Sequence, residues 1–312
     1  MNQHNDIRPI FPWFGGKSKV AHIVWERFGD TPNYVEPFAG SLAVLLRRPH
    51  DPGVETVNDL DGHICNFWRA AKHDPEQLAS YADFPVNENE LHARHAYCVS
   101  QTDALSRRLE GRPDYFDAKI AGYWLYGICS WIGGEWCSGK GPWHIEKDSG
   151  GFDILTKTGN AGQGINRQIP HLGDAGQAIL DQINFLSQRL RRVRVCCGDW
   201  KRVTGPTPTE KNGLTSIFLD PPYADTANRY SDLYAKDSLD VAHEVREWAI
   251  ANGNNPKLRI ALCGYASEHK MPENWECVAW DASVGYRGQN GGNERIWFSP
   301  HCLKIRENHM LF

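Results

Sequence analysis

Nowhere does the chain contain about 18 consecutive apolar residues, so no helical membrane span is expected. The opening residues Met1-Asn2-Gln3-His4-Asn5-Asp6 have no apolar segment behind a basic start, so no secretory leader is expected. The nine cysteines are scattered, odd in number and include no Cys-x-x-Cys pair. That usage fits a reduced, cytoplasmic protein without a structural zinc. A basic excess is also missing: 34 Lys and Arg stand against 38 Asp and Glu, a formal net charge of −4. A polyanion would therefore have to be met by a local basic patch and not by a global field.

The remaining composition, 41% hydrophobic and 23% charged over 312 residues, is that of a soluble globular protein with a sizeable core. The most informative stretch is Asp220-Pro221-Pro222-Tyr223, which follows the apolar run Ser216-Ile217-Phe218-Leu219. The run reads as a buried strand. Its acidic residue falls at the strand's carboxyl end, where open α/β sheets place ligands. Two prolines cannot continue a central strand, and they fix the direction of their carbonyls. A carboxylate, a rigid carbonyl and an aromatic face within four residues suit a planar ring bearing an amino group. The same residues also read as a plain strand end and turn.

Earlier in the chain, Trp13-Phe14-Gly15-Gly16-Lys17-Ser18 opens a helical pattern through Val20, Ile23, Val24 and Phe28. The glycine spacing of a phosphate loop is absent and no strand precedes it, which argues against a triphosphate site. Tyr34-Val35 is a short strand closed by Glu36-Pro37, and Phe38-Ala39-Gly40-Ser41 turns into a helix expected over Leu42–Leu46. Thr56-Val57-Asn58-Asp59 is a second strand ending in an acid, which reads either as a ribose ligand or as a cap for the helix that begins near Asp61. Val193–Cys197 is a third, followed by Gly198-Asp199-Trp200, where Asp199 is placed to accept from an amino group and Trp200 to pack on a ring. Arg259–Cys263, Trp275–Val278 and Glu294–Phe298 read as later strands, the last two as an antiparallel pair.

Helical periodicity covers Asp61–Asp83, Asn87–Leu109, Asp114–Ser130, Ala178–Arg192 and Leu239–Ala251. His92 and His95 have no third ligand nearby and read as a solvated helix face. Composition then shifts: residues 131–176 are glycine-rich and carry Trp136, Lys140, Trp143 and His144. Aromatic faces with cations suit insertion beside stacked bases, and equally a small aromatic core under a long loop. Arg189, Arg191 and Arg192 form the densest basic cluster, favourable at a helix end and suited to phosphates. The Gly/Asn-rich loop at Arg287 is placed to close over a substrate.

Strands alternate with helices at both ends of the chain, which predicts an α/β fold with a mostly parallel sheet. Residues 1–70 and 190–312 form that catalytic domain, and 71–189 is an insertion within it. Phe38 and Gly40, Asp59, Asp199 and Asp220 then reach one edge from separate strand ends.

Taken in order, Trp13–Lys17, Val35–Ser41, Asn58-Asp59, Cys197–Asp199 and Asp220–Tyr223 resemble the motifs of the Dam-like (D12 class) DNA adenine-N6 methyltransferases. The resemblance implies a Rossmann-like seven-stranded methyltransferase sheet with an inserted, mostly helical target-recognition domain. It implies S-adenosylmethionine as methyl donor, no metal, DNA as partner and a bacterial or phage-encoded, cytoplasmic enzyme working as a monomer. Restriction-modification, phage-borne and housekeeping settings all fit. The implied cofactor set is Trp13, Lys17, Glu36, Pro37, Phe38, Gly40, Asp59, Asp199, Trp200 and Asp220. Within it, Asp59 would hold the ribose hydroxyls and Asp199 the cofactor's adenine. Asp220, Pro221, Pro222 and Tyr223 would form the catalytic clamp, with Tyr223 stacked on the target base. DNA contacts are expected from Trp136, Lys140, Trp143, Arg191, Arg192 and Arg287. Two departures stand out: Leu42 occupies a position where the family often has glycine, and the Trp124–Trp143 region resembles the family least, which leaves the recognised sequence open. The competing functions are N-methylation of RNA or a protein amide, for which Asn in place of Asp220 would be usual, and a catalytically silent DNA-binding protein.

Overall fold

The computed structural model describes residues 9–13, 17–131, 136–137, 179–222, 240–280 and 294–305, and the backbone of 143–147 and 153–157. Tyr223, Lys140 and Arg287 lie outside the described residues, as do Phe14, Gly15 and Gly16.

Seven strands make one sheet: β1 (Asn33–Glu36), β2 (Val54–Asp59), β5 (Val193–Cys197), β6 (Thr215–Leu219), β7 (Leu258–Tyr265), β8 (Glu276–Trp280) and β9 (Glu294–Phe298). Their spatial order is β5-β2-β1-β6-β7-β9-β8. The first five in that order pair in parallel, and β9 runs antiparallel to both β7 and β8. Chain order therefore reverses between β1 and β6, the switch point at which open α/β sheets hold ligands.

β1 and β6 are buried along their whole length, as strands covered on both faces must be. Side chains alternate between two cores with the pleat. Tyr34, Phe218, Ala261, Ile296 and Phe298 join one cluster with helices α1 (Ala21–Phe28), α2 (Gly62–His73) and α6 (Ile179–Leu190). Val35, Ile217, Leu219, Ile260 and Trp297 join the other, beneath α8 (Val241–Asn252).

Between β2 and β5 the chain forms α3 (Pro75–Ala82), α4 (Glu88–Gly111) and α5 (Ala118–Ser130). Each has an Asp or Asn cap, at Asp74, Asn87 and Asp117, whose side chain accepts from a backbone N–H of the first turn. Pro75 at the first position of α3 splits the long helix read over Asp61–Asp83 into two. The segment does not build a separate core: Leu78, Leu105, Trp124 and Leu125 share the cluster of Tyr34 and Phe218. The junction is aromatic, with Phe11 edge-on to Phe67 at 5.3 Å and to Trp124 at 5.0 Å.

Two expectations are corrected. The glycine-rich stretch is not wholly irregular, since β3 (Trp143–Lys147) and β4 (Asp153–Lys157) pair as an antiparallel hairpin. The insertion is thus helical with a two-stranded sheet added. No helix forms over Leu42–Leu46; turns lead into a single 3-10 turn, Leu45–Arg47. The cause is local: Leu42 sits at φ 58°, a left-handed conformation that ends any α-helical run there. Its side chain is fully buried, so core packing holds a non-glycine residue in a conformation that favours glycine.

Candidate active site

The parallel strands deliver their carboxyl ends to one edge, and backbone and side-chain bonds tie the tips together. Asn58 Nδ2 donates to the carbonyls of Pro37 (3.0 Å) and Gly198 (2.9 Å), bridging the ends of β1 and β5. The Ala39 N–H donates to the Asn58 carbonyl and the Gly198 N–H to the Asp59 carbonyl, each at 2.9 Å. Asn58 stands in a matched motif but carried no expected role. A buried amide at a strand end is indistinguishable in sequence from a surface one.

Gly40 is gripped on every side. Its N–H donates to Asp59 Oδ2 at 2.9 Å, and its carbonyl accepts from Trp68 Nε1 at 3.1 Å. It lies at φ 44°, and a Cβ there would fall 2.4 Å from Trp13 Nε1. Trp13 thus covers the glycine turn. Asp59 has one oxygen on Gly40 and the other on the Asp61 N–H at 3.0 Å. Asp61, not Asp59, caps α2, accepting from the His63 N–H at 2.7 Å. Burial raises the Asp59 pKa to about 6, against the lowering effect of the Asp61 and Gly40 amides.

Glu36 and Pro37 are buried below this surface and not exposed on it. Glu36 accepts from the Tyr34 hydroxyl at 2.9 Å and from the Leu45 amide, so it splints the turn from within. Burial raises its pKa to about 8, opposed by the Tyr34 hydroxyl and helped by the Asp220 charge. A carboxyl with a folded pKa above its unfolded value stabilises the fold fully below about pH 4.5, and that contribution is lost as pH rises through about 8. Glu36→Gln is therefore expected to flatten stability against pH between those limits, removing a slope of about 1.4 kcal/mol per pH unit. Denaturant titrations at pH 5 to 8.5 check it; an unchanged slope would locate the titration elsewhere.

Phe38 is half-buried against Trp200, with ring centroids 6.3 Å apart. Trp200 is buried, with its edge against Trp248 at 6.2 Å, so it forms the floor under the strand tips and not a free stacking face. Asp199 is exposed at its tip and accepts from the Lys201 N–H at 2.8 Å, at the start of the short helix α7 (Lys201–Thr204).

Beside the switch point stands the strongest electrostatic feature. Lys17 is 3% exposed, with Nζ 3.0 Å from Asp220 Oδ1 and 3.7 Å from Glu294 Oε2, and 5.6 Å from the centroid of the Trp280 ring. This is an ion-pair role, incompatible with holding a phosphate. The carboxylates raise the Lys17 pKa well above its ordinary value although burial alone would lower it. Burial also raises the Asp220 pKa, and the Lys17 charge and hydrogen bond lower it. Pro221 is buried and Pro222 half-buried where β6 stops.

The structure thus assembles Trp13, Lys17, Gly40, Asp59, Asp199, Asp220 and Pro221 at one edge. The expected DNA contacts fare differently. Arg191 and Arg192 are exposed but precede Val193, which pairs with Glu55 at the amino end of the sheet. They lie about 13 Å of strand from the Asp199 tip, on the opposite edge. Arg189 is committed to a buried pair with Glu55 Oε2 at 2.7 Å. Trp136 is 8% exposed, donates to the Trp124 carbonyl at 3.1 Å and covers Gly127, where a Cβ would fall 1.7 Å from its ring. Of the two readings of the tryptophans, Trp136 takes the aromatic-core one: it packs in tilted contact with His95 and Trp131, each centroid 5.1 Å from its own. His95 is buried in that cluster, and desolvation lowers its pKa to about 4. Trp143 lies on β3.

The acidic strand tips suit a cationic ligand bearing hydroxyls. Residues 13–117 match the profile of the D12 class N6 adenine-specific DNA methyltransferases, a stretch that stops short of Asp220. A Type II methyltransferase, M1.LlaDCHI of Lactococcus lactis subsp. cremoris, is 29% identical over 85 residues, 27% of this chain and 29% of that protein. The matched stretch therefore spans under a third of that relative's length. Over residues 13–117, the segment that carries Lys17, the Gly40 turn and Asp59, the chain is similar to the D12 class N6 adenine-specific DNA methyltransferases.

Proposed function

We propose that the protein transfers a methyl group from S-adenosylmethionine to the N6 amino group of an adenine flipped out of DNA. The observation that carries this reading is the buried Lys17–Asp220 pair at the switch point, followed at once by Pro221. When bound, S-adenosylmethionine supplies an electrophilic sulfonium methyl group. Gly40 and Phe38 border the methionine end, Asp59 takes the ribose hydroxyls and Asp199 the adenine amino group.

The target's N6 lone pair is delocalised into its ring and is a poor nucleophile. Asp220 Oδ1 is held by Lys17, which leaves Oδ2 and the Pro221 carbonyl to accept the two N6 hydrogens. Both acceptors favour a more tetrahedral nitrogen, whose lone pair is then available. Asp220 also accepts the proton that N6 must lose, a task helped by the burial that raises its pKa. Positioning and preorganised charge supply most of the acceleration. A base within a duplex cannot reach such a pocket, so the nucleotide is extruded, with Tyr223 stacking on it. Residues 71–189 choose the target, and Lys140, Trp143 and Arg287 contact the DNA. The enzyme acts as a monomer in the cytoplasm, without a metal.

Incubation with labelled S-adenosylmethionine and pools of DNA, RNA and protein, followed by mapping of N6-methyladenine, tests this reading. Label in DNA adenine is expected; label in RNA or protein amide alone, or none, would overturn it. Gly40→Ala adds a second check. With a positive φ and a Cβ driven into Trp13, it costs about 1–3 kcal/mol of local strain. S-adenosylmethionine affinity is then expected to fall about tenfold or more by calorimetry; unchanged affinity would remove this turn from the cofactor site.

A further inference from the structure

We propose that the cavity between α1 and the chain entering β2 binds a small phosphate monoester, with Arg47, His22 and His50 as the groups that hold the phosphate. The site lies on the edge of the sheet opposite Asp220 and does not depend on the methyl-transfer reading.

The cavity measures about 480 Å³, within the range of small-ligand sites. It is bordered by Gly29, at the end of α1 before β1, and by Arg47 and His50, which precede β2. β1 and β2 run parallel with Asn33 beside Val54 at their starts, so the cavity belongs to the amino edge.

The neighbouring cations are already committed. Arg48 Nη1 lies 3.2 Å from Glu55 Oε1, and its Nη2 donates to the Thr31 carbonyl at 2.6 Å. Arg189 Nη1 holds the other oxygen of Glu55 at 2.7 Å. Arg47 differs from both. Among the described residues it makes no ion pair and no side-chain hydrogen bond, and its Nε is buried without an acceptor. Leaving a buried donor unmet is costly, and an oxyanion on the guanidinium fork offsets that cost. His22 and His50 likewise make no side-chain hydrogen bond among the described residues. Three uncommitted donor groups thus line one cavity.

The number of donors selects the ligand. A phosphate monoester presents three terminal oxygens, whereas a carboxylate or a DNA diester phosphate presents two. The rest of the lining describes the body that carries the phosphate. Trp25 and Pro49 form an apolar wall, and Glu26, the one acid of the lining, accepts from a hydroxyl. The wall is fixed before binding: Trp25 Nε1 donates to the Val44 carbonyl at 2.8 Å, and its ring lies 5.0 Å from Tyr34 and 6.4 Å from His50. A preformed wall lowers the ordering cost of binding. A hydroxylated monoester of sugar-phosphate size meets these demands.

Binding of ribose 5-phosphate to the full chain, followed by 31P NMR and calorimetry, tests this. Saturable binding with a Kd of about 1 mM or tighter is expected. Arg47→Met, which keeps the stem and removes the fork, should weaken it about tenfold or more, and His50→Gln, which keeps the Arg47 charge, about fivefold. Circular dichroism checks that both variants fold. Arg191→Met removes an exposed arginine of the same edge that does not line the cavity, and should change affinity less than about twofold. Absence of saturable binding would overturn the proposal. So would equal losses in Arg47→Met and Arg191→Met, which would show a diffuse field instead of a site. Displacement of the sugar phosphate by a short duplex without terminal phosphates would assign the cavity to the DNA backbone, and displacement by S-adenosylmethionine would place the probe in the cofactor site; either result would also overturn it.

Discussion

Asp220→Ala is expected to abolish methyl transfer to adenine while the protein stays folded. The substitution removes the acceptor for one N6 hydrogen and for the departing proton, effects worth about 10²-fold to 10⁴-fold in general-base catalysis. The fold should survive because Lys17 retains Glu294 at 3.7 Å, so the ammonium is not stranded. Asp220→Asn is the sharper variant. It keeps shape and one acceptor oxygen but cannot take a proton, and should fall close to Ala in kcat. The measurement is the initial rate of label transfer to DNA, beside circular dichroism and Tm. Activity above about a tenth of wild type in either variant would remove Asp220 from the role given to it.

Lys17→Met has the largest expected effect on stability. The change leaves Asp220 and Glu294 shielded from solvent without their ammonium, beside the buried Glu36. Removing one partner of a buried pair costs about 3–5 kcal/mol, because the remaining charge is left uncompensated. The sign with pH follows from the acids. At high pH the stranded carboxylates are ionised and the cost is full. As pH falls they protonate and the cost shrinks. Denaturant midpoints at pH 5 and 8.5 should therefore differ between the two proteins far more at pH 8.5. Equal losses at both values would show that Lys17 contributes packing and not charge.

Much of the architecture is legible in the residues. The β5 and β9 limits coincide with the strands expected over Val193–Cys197 and Glu294–Phe298, and β6 with the apolar run that ends at Leu219. The amphipathic spacing of Ile179, Ile183, Leu186 and Leu190 places α6, all four being buried. Such elements are dictated by local pattern: a strand buried on both faces must be continuously apolar, and a one-sided helix must repeat near 3.6 residues. The glycine turn was legible as a turn, but its continuation was not. Leu42 is a good helix former in isolation, and only packing forces its left-handed backbone. The hairpin of β3 and β4 escaped because its two strands are only five residues long and sit among glycines.

The chemistry-bearing residues divide in the same way. Sequence alone determined that acids and a glycine turn fall at strand ends, and that Asp220 precedes a proline pair. An acid after an apolar run is a local pattern, and parallel strands carry every such end to one edge. Tertiary structure decided which of these groups meet and which basic residues stand apart. Arg191 and Arg192, the two residues before a strand's start, were sent to the far edge by strand direction alone. Glu294, an unremarkable first residue of a late strand, was carried to the active edge because β9 runs against its neighbours. Pair direction is settled by hydrogen bonding between strands far apart in the chain, and no window of sequence contains it.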